Sequence, residues 1–344
     1  MAAPQIGAPR RPERRRRGNL QVPSLMTTLH YDGQTIETTT EQFDTLRVLG
    51  SGCYGTVLAV TIQDHPNVQM AVKKIKLETQ EERQASTYTD LTTIQNVGSK
   101  NYPYIISYYG AVIDTREVGE LLICVELMDA SMERFYHTMH SLDSVSYTDL
   151  DHVLCRLTHN ITSALHFLKT CRILHRDVKP QNMLVNKQAV FKLCDFGISR
   201  QMRLSKSVGI GTVQGTEAYL PPELISDSAQ PYGIRADMWA LGLSLFEIIV
   251  GKQPFANMNS FQTMIAIRSW IPTVPTNPKI SNDMKHLITY LLKRNVEERP
   301  STYVEILEVP SIKNVSTNPS DEEITFVTNI LHNIPPLNEQ YQYV

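Results

Sequence analysis

Four short stretches, far apart in the chain, carry the groups best suited to chemistry. Gly50-Ser51-Gly52-Cys53-Tyr54-Gly55-Thr56-Val57 is a G-x-G-x-x-G-x-V run, and glycines let a backbone approach phosphates closely and turn N–H groups toward them. Ala71-Val72-Lys73 places a small residue and an ammonium two positions apart, on one face if the segment is a strand. His175-Arg176-Asp177-Val178-Lys179-Pro180-Gln181-Asn182 gathers a carboxylate, an ammonium and an amide, and Asp195-Phe196-Gly197 adds a second carboxylate. Ammonium groups suit phosphate oxygens, and carboxylate and amide oxygens suit a hard divalent cation.

The elements that must position these groups follow from periodicity. The glycine run alone is ambiguous, because a dinucleotide-binding fold carries the same G-x-G-x-x-G; there, the last glycine opens a helix. Here Thr56-Val57-Leu58-Ala59-Val60 continues as a strand, which favours a hairpin. Leu46-Arg47-Val48-Leu49, Met70-Ala71-Val72-Lys73 and Leu121-Leu122-Ile123-Cys124-Val125 also have strand composition. Between the third and fourth of these runs, Ala85, Tyr88, Leu91 and Ile94 mark one helix. Beyond about residue 130 the period is helical. Val153, Leu154, Leu157, Ile161, Ala164, Leu165 and Leu168 form one stripe, and Trp239 to Phe246 is apolar almost all round, as a central buried helix is. The expected fold is α+β: a small β lobe with one helix, then a larger helical lobe. Residues 1–42 mix Pro, Gly, Arg and Thr without a sustained apolar period, the composition of a disordered tail.

Bulk properties exclude several classes. The 344 residues are 42% hydrophobic and 20% charged with a formal charge of −2, so there is ample core and no global pull toward nucleic acid or membrane. The five cysteines form no CxxC pair, and an odd count fits a reducing compartment. No run approaches the ~18 to 20 apolar residues of a membrane span. No apolar core follows the N-terminal arginines, so no secretory signal is expected. The expected location is the cytosol, with the nucleus as a second compartment.

H-R-D-x-x-x-x-N followed by D-F-G, downstream of the glycine run and Lys73, resembles the protein kinases over about residues 43–310. The resemblance implies a bilobal kinase domain, with an antiparallel small lobe over 43–128 and a large lobe over 129–310. It also implies ATP and Mg²⁺. Asp177 would then orient the hydroxyl that is phosphorylated and accept its proton, Lys179 would offset charge on the moving group, and Asn182 and Asp195 would hold the metal ions. Gly50, Ser51, Gly52, Cys53, Tyr54, Gly55 and Thr56, with Lys73, would hold the phosphates. Leu49, Val57, Ala71 and Leu184 would enclose adenine, with Glu126 and Met128 in the connection between lobes. The partner for Lys73 falls on Asp90, 17 positions on, where most protein kinases have Glu; Glu81 and Glu82 are the alternatives on a solvated face. His175 is expected to pack and hydrogen-bond rather than act as a base, and Cys194 to be a small filler. Pro221-Pro222-Glu223 resembles the A-P-E element, with Arg299 the candidate partner of Glu223, and Asp237 is expected to brace the catalytic loop.

Within the protein kinases, the wording of His175 to Asn182, of Pro103-Tyr104-Ile105 before Tyr109-Gly110-Ala111, and of Val125 to Asp129 is similar to the dual-specificity mitogen-activated protein kinase kinases. Asp90 and the lack of a proline-rich insertion point to their stress-responsive branch. That family implies a mitogen-activated protein kinase as substrate, modified on Thr and Tyr, and an upstream kinase that phosphorylates the activation segment. Here the segment is about two residues longer than the family's, and the candidates are Thr212 with Ser205 or Ser207. Arg14, Arg15, Arg16 and Arg17 before Leu20 and Val22 resemble a substrate-docking motif, a nuclear localisation signal or RNA adhesion being the alternatives. Residues 311–344 form a C-terminal tail in which Ile324, Val327, Ile330, Leu331 and Ile334 make an apolar stripe. It suits an upstream-kinase docking helix, with packing on the large lobe as the alternative. A pseudokinase scaffold is the competing class, against which stands the complete set Lys73, Asp177, Asn182 and Asp195. A nucleic-acid-binding protein would rest on the arginine cluster alone.

Overall fold

The structure is a computed structural model that describes residues 26–52, 55–76, 91–98, 100–114, 119–142, 147–195, 216–225, 232–276 and 280–337. Cys53, Tyr54, Glu81, Glu82, Asp90, Ser205, Ser207, Thr212, Arg14 to Arg17, Leu20 and Val22 lie outside the described residues.

The tail expected through residue 42 needs correction. Strand β1 (Met26–Tyr31) pairs antiparallel with β2 (Gln34–Thr39), and Leu29 sits opposite Ile36. Asp32 and Gly33 both have positive φ (46° and 76°), as a tight two-residue hairpin turn demands. Each strand contributes one buried aliphatic residue: Leu29 is 0% exposed and Ile36 4%, while Met26 at the start of β1 is exposed. They cover the outer face of the main sheet with Val60, Met70, Val72, Leu122 and Cys124. Gly110 makes room for them, since a Cβ there would lie 2.6 Å from the Leu29 side chain. Leu29→Ala should therefore destabilise the protein by about 3 kcal/mol, measured by denaturant unfolding. A loss below about 0.5 kcal/mol would show that the hairpin is not packed on the sheet.

That sheet consists of β3 (Phe43–Gly52), β4 (Gly55–Ile62), β5 (His65–Lys76), β6 (Tyr108–Asp114) and β7 (Glu120–Glu126), antiparallel throughout in the order β3-β4-β5-β7-β6. Its inner face carries the chemistry. Val57 lies opposite Lys73, and Lys73 opposite Ile123, and directly opposed residues project to the same side. The expected small-lobe helix is present over 91–98 as α1, and buries Ile94 and Val97.

The large lobe begins with β8 (Ala130–Ser131), α2 (Met132–Ser141) and α3 (Tyr147–Thr170). All seven residues of the predicted stripe on α3 are buried. The short strands β9 (Met183–Val185) and β10 (Phe191–Leu193) follow, then α4 (Pro222–Ile225) and the central helix α5 (Ile234–Val250). Every residue from Ala236 to Ile249 is buried, which is why this helix is apolar on all sides. Helices α6 (Ser260–Ser269), α7 (Asn282–Leu291), α8 (Tyr303–Leu307), α9 (Pro310–Lys313) and α10 (Asp321–His332) complete the lobe.

Helix α10 also corrects an expectation. Its apolar stripe faces the large lobe, with Val327 0% and Ile330 2% exposed and Ile324, Leu331 and Ile334 packed beside them. Arg156 of α3 clasps Glu323 through two hydrogen bonds of 2.8 Å, and donates further to Ser316 and Asn318. A stripe signals burial without naming the partner, and here it packs on the large lobe, the alternative reading of this segment.

Candidate active site

The catalytic loop is held from beneath by Asp237 in the first turn of α5. Its carboxylate accepts the backbone N–H groups of His175 (3.0 Å) and Arg176 (2.9 Å) and the Tyr232 hydroxyl (2.7 Å). Asp237 is fully enclosed; burial pushes its carboxyl pKa up, while the three donors pull against that rise. The grip holds Arg176 at φ +66°, a conformation uncommon outside glycine.

His175 then ties two loops together. It accepts the Asp177 N–H on Nδ1 (3.2 Å) and donates from Nε2 to the Cys194 carbonyl (2.9 Å). Burial lowers its pKa, so the ring is neutral with both nitrogens engaged. This is the packing and hydrogen-bonding role expected of it. Burial also pushes the Cys194 thiol well above its usual pKa, which makes it a poor nucleophile.

The four separated stretches meet at this point. Lys73 Nζ lies 2.7 Å from Asp195 Oδ1 although 122 positions separate them. Lys179 Nζ is 3.2 Å from Asp177 Oδ2. Asn182 donates its side-chain nitrogen to the Asp177 carbonyl (2.7 Å) and to Oδ2 (3.1 Å). Burial alone would lower the pKa of Lys73, but the charge and hydrogen bond of Asp195, with Asp177 behind them, outweigh it and hold that pKa above the ordinary lysine value. Lys73 is therefore a fixed cation.

The glycine run forms a β3–β4 hairpin, with Gly50 opposite Val57, Ser51 opposite Thr56 and Gly52 opposite Gly55. The strand continues after the third glycine, so the dinucleotide alternative is excluded. Gly55 has φ +115°, and a Cβ there would lie 1.8 Å from the Lys74 carbonyl oxygen; only glycine fits. Leu49, Val57 and Leu184 are half-buried, and Ala71 is buried. Two of the expected cofactor residues have their side chains engaged elsewhere. The Glu126 carboxylate is bonded to Lys192 and to the Ser107 N–H, and Met128 is in the core. Any contact of these two with a nucleotide falls to their backbone.

The donor set fits a nucleotide with a divalent cation. Asn182 has committed its nitrogen to Asp177, so its amide oxygen and the Asp195 carboxylate are the hard oxygen donors that remain. Among the described residues no group of three or more His, Cys, Asp or Glu is placed to hold a metal alone. A cation bound here must take its remaining ligands from phosphate and water.

Beyond this centre lie contacts that the sequence motifs did not reveal. Glu247 of α5, buried, accepts hydroxyls from Tyr136 of α2 (2.6 Å) and Tyr219 (2.5 Å), and so fixes the short turn Thr216–Tyr219. No sequence spacing links these three residues. Glu223 meets Arg299, as the resemblance implied, through two hydrogen bonds of 2.7 and 2.8 Å. Among the described residues no helix is long and apolar enough to cross a membrane.

Comparison with known proteins agrees with this geometry. The chain is 29% identical over 311 residues to the dual specificity mitogen-activated protein kinase kinase sek-1 of Caenorhabditis elegans, covering 88% of each protein. Residues 43–312 match the protein kinase domain, a span that holds Lys73, Asp177, Asn182 and Asp195 together, and by that match the chain belongs to the protein kinase family.

Proposed function

We propose that this protein is a dual-specificity mitogen-activated protein kinase kinase of the stress-responsive branch, acting in the cytosol on Thr and Tyr of a mitogen-activated protein kinase's activation loop. One observation carries the choice within the family: the likeness to sek-1 runs along 88% of both chains. ATP, bound with a divalent cation, here Mg²⁺, would supply the phosphoryl group and leave as ADP. Asp177 accepts the proton of the attacking hydroxyl and holds that hydroxyl in line. Lys179, 3.2 Å from Asp177, neutralises charge on the transferred group. Lys73 and the β3–β4 hairpin hold the phosphates, while Asn182 and Asp195 offer oxygens to the cation. A pseudokinase scaffold has no need of this complete set.

Thr212 and Ser205 or Ser207 are the proposed activating sites, where a phosphate adds roughly −2 charge. Arg14 to Arg17 with Leu20 and Val22 are the proposed grip on the substrate kinase. The test is a panel of purified mitogen-activated protein kinases treated with the activated full chain, followed by mapping of modified residues. Modification of both Thr and Tyr in one activation loop is the expected result. Deletion of residues 10–22 should weaken that reaction and spare ATPase activity. Modification of serine alone, outside the loop, would reject the assignment.

A further inference from the structure

Lys192 and Glu126 form a mostly buried ion pair at the junction of the lobes. Lys192 Nζ lies 2.7 Å from Glu126 Oε2, and the two side chains are only 13% and 20% exposed. A pair so far removed from water differs from the surface ion pairs that contribute little; removing one partner leaves a charge stranded. Its position is specific. Glu126 is the last residue of β7, where the chain leaves the small lobe. Lys192 lies in β10 directly opposite Leu184 of β9, and three residues before Asp195.

The surrounding hydrogen bonds show what the pair adds. Residues 104–107 of the small lobe are already stitched to β10, since Leu193 N–H donates to the Tyr104 carbonyl (2.9 Å) and Ile106 N–H to the Leu193 carbonyl (3.1 Å). Glu126 and Ser107 close a ring: Glu126 N–H donates to the Ser107 carbonyl (2.9 Å), and Ser107 N–H donates to Glu126 Oε2 (3.2 Å). Lys192 is the charged contact to that same oxygen. It reaches Glu126 from the strand that leads into Asp195.

We propose that Lys192 is a positioning residue for the nucleotide, which acts by holding Glu126, and with it the connection between the lobes, at a fixed distance from Leu184 and Asp195. The proposal rests on the assignment of the cleft to ATP. Lys192 bonds Glu126, whereas the Asn182 side chain bonds Asp177, so loss of Lys192 acts on nucleotide binding more than on the chemical step.

The experiment is calorimetric titration of the full chain with ATP and MgCl₂, joined to steady-state kinetics, for the wild type, Lys192→Met, Lys192→Gln and Lys192→Arg. Lys192→Met and Lys192→Gln should raise Kd and KM for ATP about tenfold while kcat at saturating ATP changes less than about twofold. Lys192→Arg, which keeps the charge, should stay within about twofold of the wild type. Unchanged ATP affinity in either neutral variant overturns the proposal, even if that variant melts earlier. If only one neutral variant folds, its affinity decides. A tenfold loss in Lys192→Arg also overturns it, because charge pairing would then not be the cause. Failure of the wild type to bind ATP would instead overturn the assignment of the cleft.

Discussion

Asp177→Asn should lower kcat by about 10³-fold while ATP affinity stays within a few-fold of the wild type. The substitution conserves shape, and the loop keeps its course because Asp237 grips the backbone of His175 and Arg176 rather than the Asp177 side chain. The hydrogen bond from Asn182 to the Asp177 carbonyl also survives. What disappears is the negative charge on Oδ2, which faces Lys179 at 3.2 Å and Asn182 at 3.1 Å. Without it the proposed acceptor of the hydroxyl proton is gone, and Lys179 loses the anion beside it. In the proposed function, phosphate binding rests on Lys73, Asp195 and the β3–β4 hairpin, which Asp177→Asn leaves in place. Calorimetry with ATP alongside single-turnover phosphorylation separates the two effects. Transfer that persists within tenfold of the wild type would remove Asp177 from the mechanism. Loss of ATP binding together with transfer would show a collapsed loop instead.

The cluster of Asp177, Lys179 and Asn182 was legible because it is local in sequence. Asp177, Lys179 and Asn182 fall within six residues, and a loop that short brings them together once its ends are fixed. The fold class was legible for a similar reason, since the stripe on α3 and the mostly apolar run of α5 state how deeply each helix is buried. Supports across long separations left no such trace. Tyr136 and Glu247 are 111 positions apart, Arg156 and Glu323 167, and Glu126 and Lys192 66. Charge and hydrogen-bonding capacity are visible in each residue, but nothing in the spacing pairs them. Glu223 with Arg299 was found only through resemblance. The β1–β2 hairpin did carry a local sign in Asp32-Gly33. A threonine-rich stretch with one buried aliphatic residue per strand, Leu29 and Ile36, hid the alternation that would have supported it.

Arg299→Leu should destabilise the large lobe by about 3 to 5 kcal/mol, the loss expected when one member of a buried pair is removed. The Arg299 side chain is 0% exposed and that of Glu223 12%. The guanidinium makes two hydrogen bonds to the Glu223 carboxylate and donates from Nε to the Lys293 carbonyl (2.7 Å). It also lies over the Trp239 ring at 4.8 Å. Arg299→Lys should recover little, because one ammonium cannot supply the planar fork and Nε together. Lys313 and Glu308 are the control: their side chains are 59% and 56% exposed, and breaking that pair should cost below about 0.5 kcal/mol. The double variant Glu223→Leu with Arg299→Leu should lose less than Arg299→Leu alone. Most of the single variant's loss comes from the carboxylate losing the two Arg299 hydrogen bonds, and removing both charges removes that term. Denaturant unfolding of the four variants and the wild type measures the order. A double variant less stable than Arg299→Leu would mean that the net attraction of the pair, and not the stranded charge, holds the end of the activation segment against α5.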